Sequence, residues 1–458
     1  MNKTQMQKRI YSFLMSFLIV SVETGIMTYV WVNYYNTELP KAYYFWGHVF
    51  ISAVYLLILF IFSEMYGGLK IGSNRMLELL LSQAFSTLAT NVLFYAIISL
   101  LAYHFPPVLP LVLGTALQYL CIGIWILIAT YIYRGLFPPL DVLLVYDGRT
   151  KDLFVSKVKT RRHQFSITMS MKSTEALTEI YQEIDRHEAV MMWDVPTVVR
   201  NKIFKYCYER SVEIYVMPKI MDIILHGSQT LHFFDTPLLL TKSSPMEAEQ
   251  IALKRGFDIV FSLFLIVVLS PLMLLTALLI KCYDGGPVFY RQIRCTQGSK
   301  EFRIYKFRSM IVEAERDGVA RLATKNDDRI TPIGRVIRKI RVDELPQLFN
   351  VLSGAMSFVG PRPERPEIIE KYTEAMPEFT YRTKVKAGLT GYAQIYGKYN
   401  TLPYDKLKLD LYYIENFSVW LDLKLIIQTL KILFTLESTE GIADGAITPL
   451  EEEDGDDE

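Results

Sequence analysis

Hydrophobic and polar positions along the chain change period three times. Apolar runs of spanning length occupy Ile10 to Val32, Tyr44 to Phe62, Leu77 to Tyr103 and Leu109 to Tyr133. Each suffices to cross about 30 Å of hydrocarbon, and together they predict four transmembrane helices. Lys3, Lys8 and Arg9 precede the first run, Lys70 and Arg75 lie between the second and third, and Arg134 follows the fourth. The first connection carries Lys41 alone and the third, His104 to Pro110, carries no Lys or Arg, so the positive-inside rule puts both ends of this unit in the cytosol. No small-residue cleavage site follows the first run, and it is expected to be retained as an anchor. Glu23 is the one charged residue near the centre of these helices. It reads either as a functional intramembrane acid or as an acid that faces a neighbouring helix or the outer interface.

From Asp141 to about Thr241 the pattern shortens. Val142 to Tyr146, Ala189 to Trp193 and Glu213 to Val216 read as strands, with helices near Glu175 to Arg186 and Thr197 to Arg210. This is the βαβ rhythm of a small doubly wound α/β domain. A dinucleotide-binding version needs a glycine-rich turn after its first strand, and here there is only Asp147-Gly148-Arg149. A degenerate, structural or regulatory domain without bound NAD is expected over 137–245.

A fifth apolar run covers Ile259 to Ile280, flanked by Lys254 and Arg255 before it and Lys281, Arg291 and Arg294 after it. A crossing here would carry everything beyond Lys281 outside, although cations flank both ends. Ser270-Pro271 sits at its midpoint, where proline removes a backbone donor and a serine hydroxyl can satisfy the carbonyl left over. A broken, re-entrant helix over 257–283 is expected; a proline-kinked fifth span is the alternative.

After Gly285-Gly286-Pro287 come two extended basic stretches, Val288 to Arg294 and Phe302 to Met310. Alternation in the second puts Phe302, Ile304, Lys306 and Arg308 on one side, where two cations could meet a diphosphate. Thr331-Pro332 reads as an N-cap and first-turn proline. It opens a helix with Ile333, Val336, Ile337 and Ile340 on one face and Arg335, Arg338, Lys339 and Arg341 on the other, suited to an anionic membrane surface or a polyanionic ligand. Leu345, Leu348, Phe349 and Leu352 mark a second helix beginning at Asp343. On spacing alone Asp343 is an ordinary N-cap or something more. A carboxylate at a helix N-terminus beside several cations is expected to stay ionised. An ionised aspartate can attack phosphorus, with Glu344 as a Mg²⁺ ligand or base and with arginines and Mg²⁺ screening the repulsion between anions. Gly360-Pro361-Arg362-Pro363 adds a rigid turn presenting one guanidinium, whose fork matches phosphate oxygens. Tyr404 to Phe417 and Ser418 to Phe434 are helical, and the second reads as an interfacial helix packed on the fifth apolar run or as a core helix.

Composition adds little that the pattern does not hold. Of 458 residues 51% are apolar, which leans toward a membrane protein. The net charge of +1 hides a basic stretch from Lys254 to Arg341 and an acidic tail over 437–458, which reads as solvated. Its Asp454-Gly455-Asp456 looks superficially like a metal-binding DxD, a match that a terminal acidic run produces by chance. The four cysteines, 121, 207, 282 and 295, form no CxxC, and the six histidines are scattered. Neither a zinc site nor a Ser/His/Asp arrangement follows from them.

The motifs from 250 to 436 resemble the bacterial sugar transferase family, the monotopic polyprenyl-phosphate phosphoglycosyl transferases. The pieces are Lys254-Arg255-x-x-Asp258, Ser270-Pro271, GPVFYRQ (Gly286 to Gln292), KFRSM (Lys306 to Met310), DELPQLFNVLSG (Asp343 to Gly354), MSFVGPRP (Met356 to Pro363) and GLTGYAQIYG (Gly388 to Gly397). With the anchor (1–136) and the α/β domain, nearly the whole chain is similar to the larger members of undecaprenyl-phosphate galactose/glucose phosphotransferase type. The resemblance implies a membrane α/β protein with a four-helix transmembrane bundle, a degenerate Rossmann-like domain and an α-rich catalytic domain with a re-entrant helix, catalytic on the cytosolic face of the bacterial cytoplasmic membrane. It implies transfer of a sugar-1-phosphate from a UDP-sugar to undecaprenyl phosphate with release of UMP, the first membrane step of capsule, exopolysaccharide or O-antigen synthesis. Carried over by motif, Asp343 is the nucleophile, Glu344 its partner near Mg²⁺, and Arg338 and Arg362 hold phosphate or nucleotide. No nucleic acid is expected as a partner, and the chain has ample surface for a homodimer. Three departures stand beside the chemistry: Cys295-Thr296 where the family usually has Val-Gly, Arg341 rather than Ser or Thr before Val342, and Ala387 for the usual proline before Gly388. They bear on donor preference more than on activity. The rival reading is a catalytically inactive membrane scaffold for polysaccharide machinery, against which the intact Asp-Glu pair argues.

Overall fold

The long apolar runs all form helices. A computed structural model describes residues 3–148, 151–241, 245–312, 327, 329–397 and 401–433; the acidic tail, with Asp454-Gly455-Asp456, and Arg149 lie outside these residues. The chain divides into two units, Met1–Met217 and Pro218–Glu458.

In the first unit α1 (Lys3–Val30), α2 (Phe45–Tyr66), α3 (Met76–Ala102) and α4 (Leu109–Leu136) share one core built from Ile19, Trp31, Tyr55, Leu59, Phe94 and Ile126. Their outward faces carry exposed Phe13, Phe50, Val92 and Leu120, as expected of helices whose surroundings are apolar. A polar seam runs through this core. Fully buried Glu23 accepts from Thr87 Oγ1 at 2.7 Å, Gln118 donates to Tyr55 Oη at 2.8 Å, and Tyr55 donates to Asn91 Oδ1 at 2.8 Å. Glu23 thus faces α3, one of the two placements the sequence left open.

The α/β part of this unit comprises β1 (Leu140–Tyr146), α5 (Lys151–Lys159), β2 (Phe165–Lys172), α6 (Leu177–Ile184), β3 (Ala189–Trp193), α7 (Thr197–Arg210) and β4 (Glu213–Val216). Its strands form one parallel sheet in the order β2-β1-β3-β4, whose central strands β1 and β3 are buried on both faces. At the turn after β1, Asp147 accepts from Gly148 N at 2.8 Å and from Ser173 Oγ at 2.7 Å. A carboxylate therefore stands where a dinucleotide fold keeps a glycine cradle.

The second unit begins with α8 (Ile220–His226) and an antiparallel hairpin of β5 (Gln229–Phe233) and β6 (Thr236–Leu240). Next comes α9 (Ala248–Asp284), 37 residues with Pro271 inside. The helix continues through the proline rather than breaking there. Pro271 cannot donate to the carbonyl of Val267, and Ser270 Oγ donates to that oxygen at 2.8 Å instead. Both ends of α9 are tied to the same unit. Near its start Lys254 pairs with Asp422, Arg255 donates to the carbonyls of Val351 and Leu352 at 2.7 and 2.8 Å, and Asp258 accepts from Phe358 N at 2.9 Å. Towards its end Met273 and Ile280 pack with Phe307, Ile337 and Val342, and Asp284 pairs with Arg308. The flank between them, including Leu263, Phe264, Val267, Val268, Leu274 and Leu278, is exposed.

The rest of the unit follows in order as β7 (Phe289–Cys295), β8 (Glu301–Phe307), α10 (Pro332–Lys339), α11 (Gln347–Ser353), β9 (Ser357–Val359), α12 (Pro366–Ala375), β10 (Gly388–Thr390), α13 (Tyr392–Tyr396), α14 (Pro403–Glu415) and α15 (Val419–Leu433). β7 and β8 pair antiparallel, β9 and β10 parallel. Leu348, Val351, Met356, Phe379, Leu411, Ile414 and Leu425 lie in one core, to which α8 contributes Ile220 and Ile223. α15 therefore turns Asp422, Leu425 and Ile426 inward while Trp420 and Leu430 remain exposed. Thr331 caps α10, accepting from Gly334 N at 2.9 Å. The two glycine motifs meet back to back across β9 and β10: a Cβ on Gly360 would lie 2.4 Å from Lys386 O, and one on Gly391 2.1 Å from Gly360 O.

Candidate active site

Asp343 and Glu344 lie in a single 3₁₀ turn, Val342–Glu344, between α10 and α11. Arg341 enters it with φ 55°, a left-handed conformation uncommon for a residue with a side chain. Val342 anchors the turn in the small core formed with Met273 and Ile280 of α9. The N-cap alternative for Asp343 is not realised: Pro346 holds the cap position of α11, with no side-chain cap bond. The extra turn displaces the acids from the helix end and leaves the Asp343 carboxylate with no hydrogen bond among the described residues.

Glu344 is gripped from three directions. Its Oε1 receives Lys306 Nζ from β8 at 3.1 Å and Arg362 Nη2 from the Gly360–Pro363 turn at 2.9 Å, and Oε2 lies 4.0 Å from Arg341. Burial opposes its ionisation, but Lys306, Arg362 and Arg341 together outweigh it and hold the carboxyl well below the usual range. Asp343 goes the other way. Burial first, and the neighbouring Glu344 charge second, push it up to about 6 against the pull of Lys306, Arg338 and Arg341. The sequence suggested an aspartate kept firmly ionised; here most of the positive charge is spent on its neighbour.

The remaining sequence candidates divide. Arg338 is half-buried beside Asp343, and its guanidinium has no hydrogen-bonded partner among the described residues. Lys306 and Arg308, expected to act together, engage different acids, Glu344 and Asp284. Ser270 and Pro271 lie within α9 and maintain the helix. Sequence reasoning missed the residues that carry the Arg362 turn. Glu364 takes Arg294 at 3.7 Å, Arg382 at 3.6 Å and Lys406. Despite burial these cations bring its carboxyl down to about 2. Arg382 also pairs with Asp410 at 2.8 Å. The available signal was a charged residue inside an otherwise apolar helical period, as at Asp410 between Leu409 and Leu411.

Two of the three departures from the family pattern touch. Thr296 Oγ1 accepts from Ala387 N at 3.1 Å and donates to Ala355 O at 2.8 Å. A glycine at 296 offers no such acceptor, and a proline at 387 has no N–H to give. The pair of substitutions thus exchanges a rigid proline for a hydrogen bond directly behind Pro361.

Apolar helices of spanning length and mixed α/β domains define a membrane protein. Residues 249–436 match the model of the family described as bacterial sugar transferase. The chain is 40% identical over 232 residues to the UDP-N-acetylgalactosamine-undecaprenyl-phosphate N-acetylgalactosaminephosphotransferase of Aeromonas hydrophila, covering 50% of this chain and 54% of that one. It is 35% identical over 234 residues to the UDP-glucose:undecaprenyl-phosphate glucose-1-phosphate transferase of Escherichia coli K12, half of each chain. It is also 40% identical to the uncharacterized sugar transferase EpsL of Bacillus subtilis, covering 41% of this chain and 90% of that one. The chain spans about half the length of the first two of these relatives. It belongs to the bacterial sugar transferase family.

A double-mutant cycle tests the compensating pair. Thr296→Gly and Ala387→Pro should each lower thermal stability in detergent, by about 1 kcal/mol for each hydrogen bond lost. The double variant should be more stable than the sum of the two predicts; strict additivity would show that the two positions are independent.

Proposed function

We propose that this protein transfers a sugar-1-phosphate from a UDP-sugar to undecaprenyl phosphate, starting assembly of a capsule, exopolysaccharide or O-antigen, through a covalent phosphosugar on Asp343. The observation that carries this reading is the division of labour in the acidic pair: Glu344 collects Lys306, Arg362 and Arg341, which leaves the Asp343 carboxylate free of hydrogen bonds among the described residues, with Arg338 beside it. A carboxylate without hydrogen bonds is the better nucleophile. An Asp343 oxygen attacks the phosphorus bearing the sugar, and the bond from that phosphorus to the bridging oxygen breaks, so that UMP departs with that oxygen. A phosphate oxygen of undecaprenyl phosphate then attacks the same phosphorus, and the bond to Asp343 breaks to restore the carboxylate. Arg338 and Arg362 would face the donor's phosphates, while Lys306 holds Glu344 and Arg308 braces the end of α9. The donor set also suits Mg²⁺, which takes one or two carboxylates and fills the rest of its shell with phosphate and water oxygens. Asp343 and Glu344 Oε2 would hold it, and when bound it would offset charge on the diphosphate.

In this reading the four N-terminal helices cross the membrane and the acidic pair faces the cytosol. α9 enters and leaves by the same face. A straight helix of its 37 residues would be about 55 Å long, yet both of its ends are bonded to one polar unit, which favours the re-entrant geometry over a crossing.

Purified full-length protein given a UDP-sugar labelled in the sugar and Mg²⁺ should release UMP and carry label, and Asp343→Asn should lose both. Label absent from the wild type, with sequential rather than ping-pong kinetics, would instead indicate direct attack by the lipid phosphate. No UMP from any UDP-sugar with undecaprenyl phosphate present would favour the scaffold reading. The ionised form of Asp343 is the active one, so the donor half-reaction should fall as pH drops through about 6. Glu344→Gln, by removing a neighbouring charge, should move that limb to lower pH in whatever activity remains; an unmoved limb would show that another group titrates. A cysteine at Gly285 should react with a membrane-impermeant reagent from the cytosolic side alone, and periplasmic labelling would overturn the re-entrant geometry.

A further inference from the structure

Four consecutive carbonyls of the Arg362 turn are each held by a donor from elsewhere in the fold. Pro361 O accepts from Gly388 N at 2.9 Å, Arg362 O from Arg382 Nη2 at 3.0 Å, Pro363 O from Arg294 Nη1 at 3.2 Å, and Glu364 O from Cys295 N at 3.0 Å. Two of these donors are side chains. Arg294 donates from β7 and is half-buried; Arg382 lies in the 3₁₀ segment Pro377–Lys384, is 3% exposed and spans two acids, Asp410 at 2.8 Å and Glu364 at 3.6 Å. Phe379 lies beneath its guanidinium, 4.9 Å from ring to carbon.

Burying a guanidinium with two carboxylates is a poor route to stability, since desolvation offsets most of the attraction. What it does provide is direction. Arg382 fixes the main chain at Arg362, whose own guanidinium reaches Glu344 at 2.9 Å. Nη2 meets Asp410 and the Arg362 carbonyl while Nη1 stands 3.6 Å from Glu364, so the two nitrogens of a rigid planar fork reach groups on different sides, which the single nitrogen of an ammonium has no fixed plane to span.

We propose that Arg382, held by Asp410 and Glu364, is a positioning residue for the donor half of the reaction: by fixing the carbonyl of Arg362 it aims that guanidinium at the diphosphate of the UDP-sugar. The inference rests on the reading above. In that reading donor and acceptor react in separate steps, so kcat/KM for each substrate reports its own half-reaction. A misaimed Arg362 harms departure of UMP and leaves attack by the prenyl phosphate intact. A general loss of folded protein lowers both values by the same factor.

The experiment compares wild type, Arg382→Lys, Asp410→Asn, Arg362→Lys and the Arg362→Lys/Arg382→Lys double variant in detergent, with undecaprenyl phosphate and the best UDP-sugar. Arg382→Lys should lower kcat/KM for the donor about tenfold and leave that for the lipid acceptor within twofold. Asp410→Asn should do the same more mildly. The double variant should be no worse than Arg362→Lys alone, because the first residue acts through the second. Equal losses for both substrates, or independent losses that multiply in the double variant, would reduce Arg382 to a structural residue. Calorimetric binding of UDP, which needs no turnover, separates failure of the two readings. If wild type transfers no phosphosugar but binds UDP, weaker binding in Arg382→Lys that disappears in the Arg362→Lys background supports the positioning role. Unchanged binding overturns it.

Discussion

The site depends on one carboxylate being fully neutralised by its surroundings. Two adjacent acids in a half-buried turn repel each other and resist losing water, and neither cost disappears unless cations are brought close. Lys306, Arg362 and Arg341 come from β8, the Gly360–Pro363 turn and the turn itself. Glu344 is thus where three separate segments of the second unit are joined, and the freedom of Asp343 follows from its neighbour's confinement.

The rest of the second unit can be understood as support for that junction. α9 brings Met273 and Ile280 beneath Val342 and fixes the C-terminal carbonyls of α11 through Arg255. Asn350 ties β8 to α11, accepting from Tyr305 N at 2.9 Å and donating to Arg303 O at 2.8 Å, so Lys306 arrives in register. The close approach of Gly360, Gly388 and Gly391 sets the height of the Arg362 turn. Motifs as far apart as Lys254-Arg255-x-x-Asp258 and GLTGYAQIYG therefore serve one geometry, the first by clamping a helix and the second by leaving room for a backbone.

Much of this was legible in the sequence because it rests on local rules. The apolar runs, the βαβ rhythm and the Thr331-Pro332 cap need only hydrophobic period and turn chemistry. Three features were not local. The proline in α9 signalled a break, but whether Ser270 would satisfy Val267 depended on a rotamer. The position of Asp343 before Leu345 and Leu348 matched an N-cap, but the left-handed Arg341 and the extra turn follow from packing of Val342 against α9. The ionic support of the Arg362 turn joins Arg294, Glu364, Arg382, Lys406 and Asp410, and no period in the sequence links five charges so widely spaced. The motif resemblance pointed to Asp343, Glu344 and Arg362 but not to what holds them.

The two-ended attachment of α9 also bears on how the protein meets different membranes. A spanning helix must match its apolar length to the bilayer, and mismatch costs tilt or local deformation. A helix bonded at Asp258 and at Asp284 to one polar body would, if it dips into one leaflet as proposed, measure its depth from that body alone. Under the proposed re-entrant geometry its reach would stay constant whether the bilayer is thick or thin, so the far leaflet would place no demand on its length.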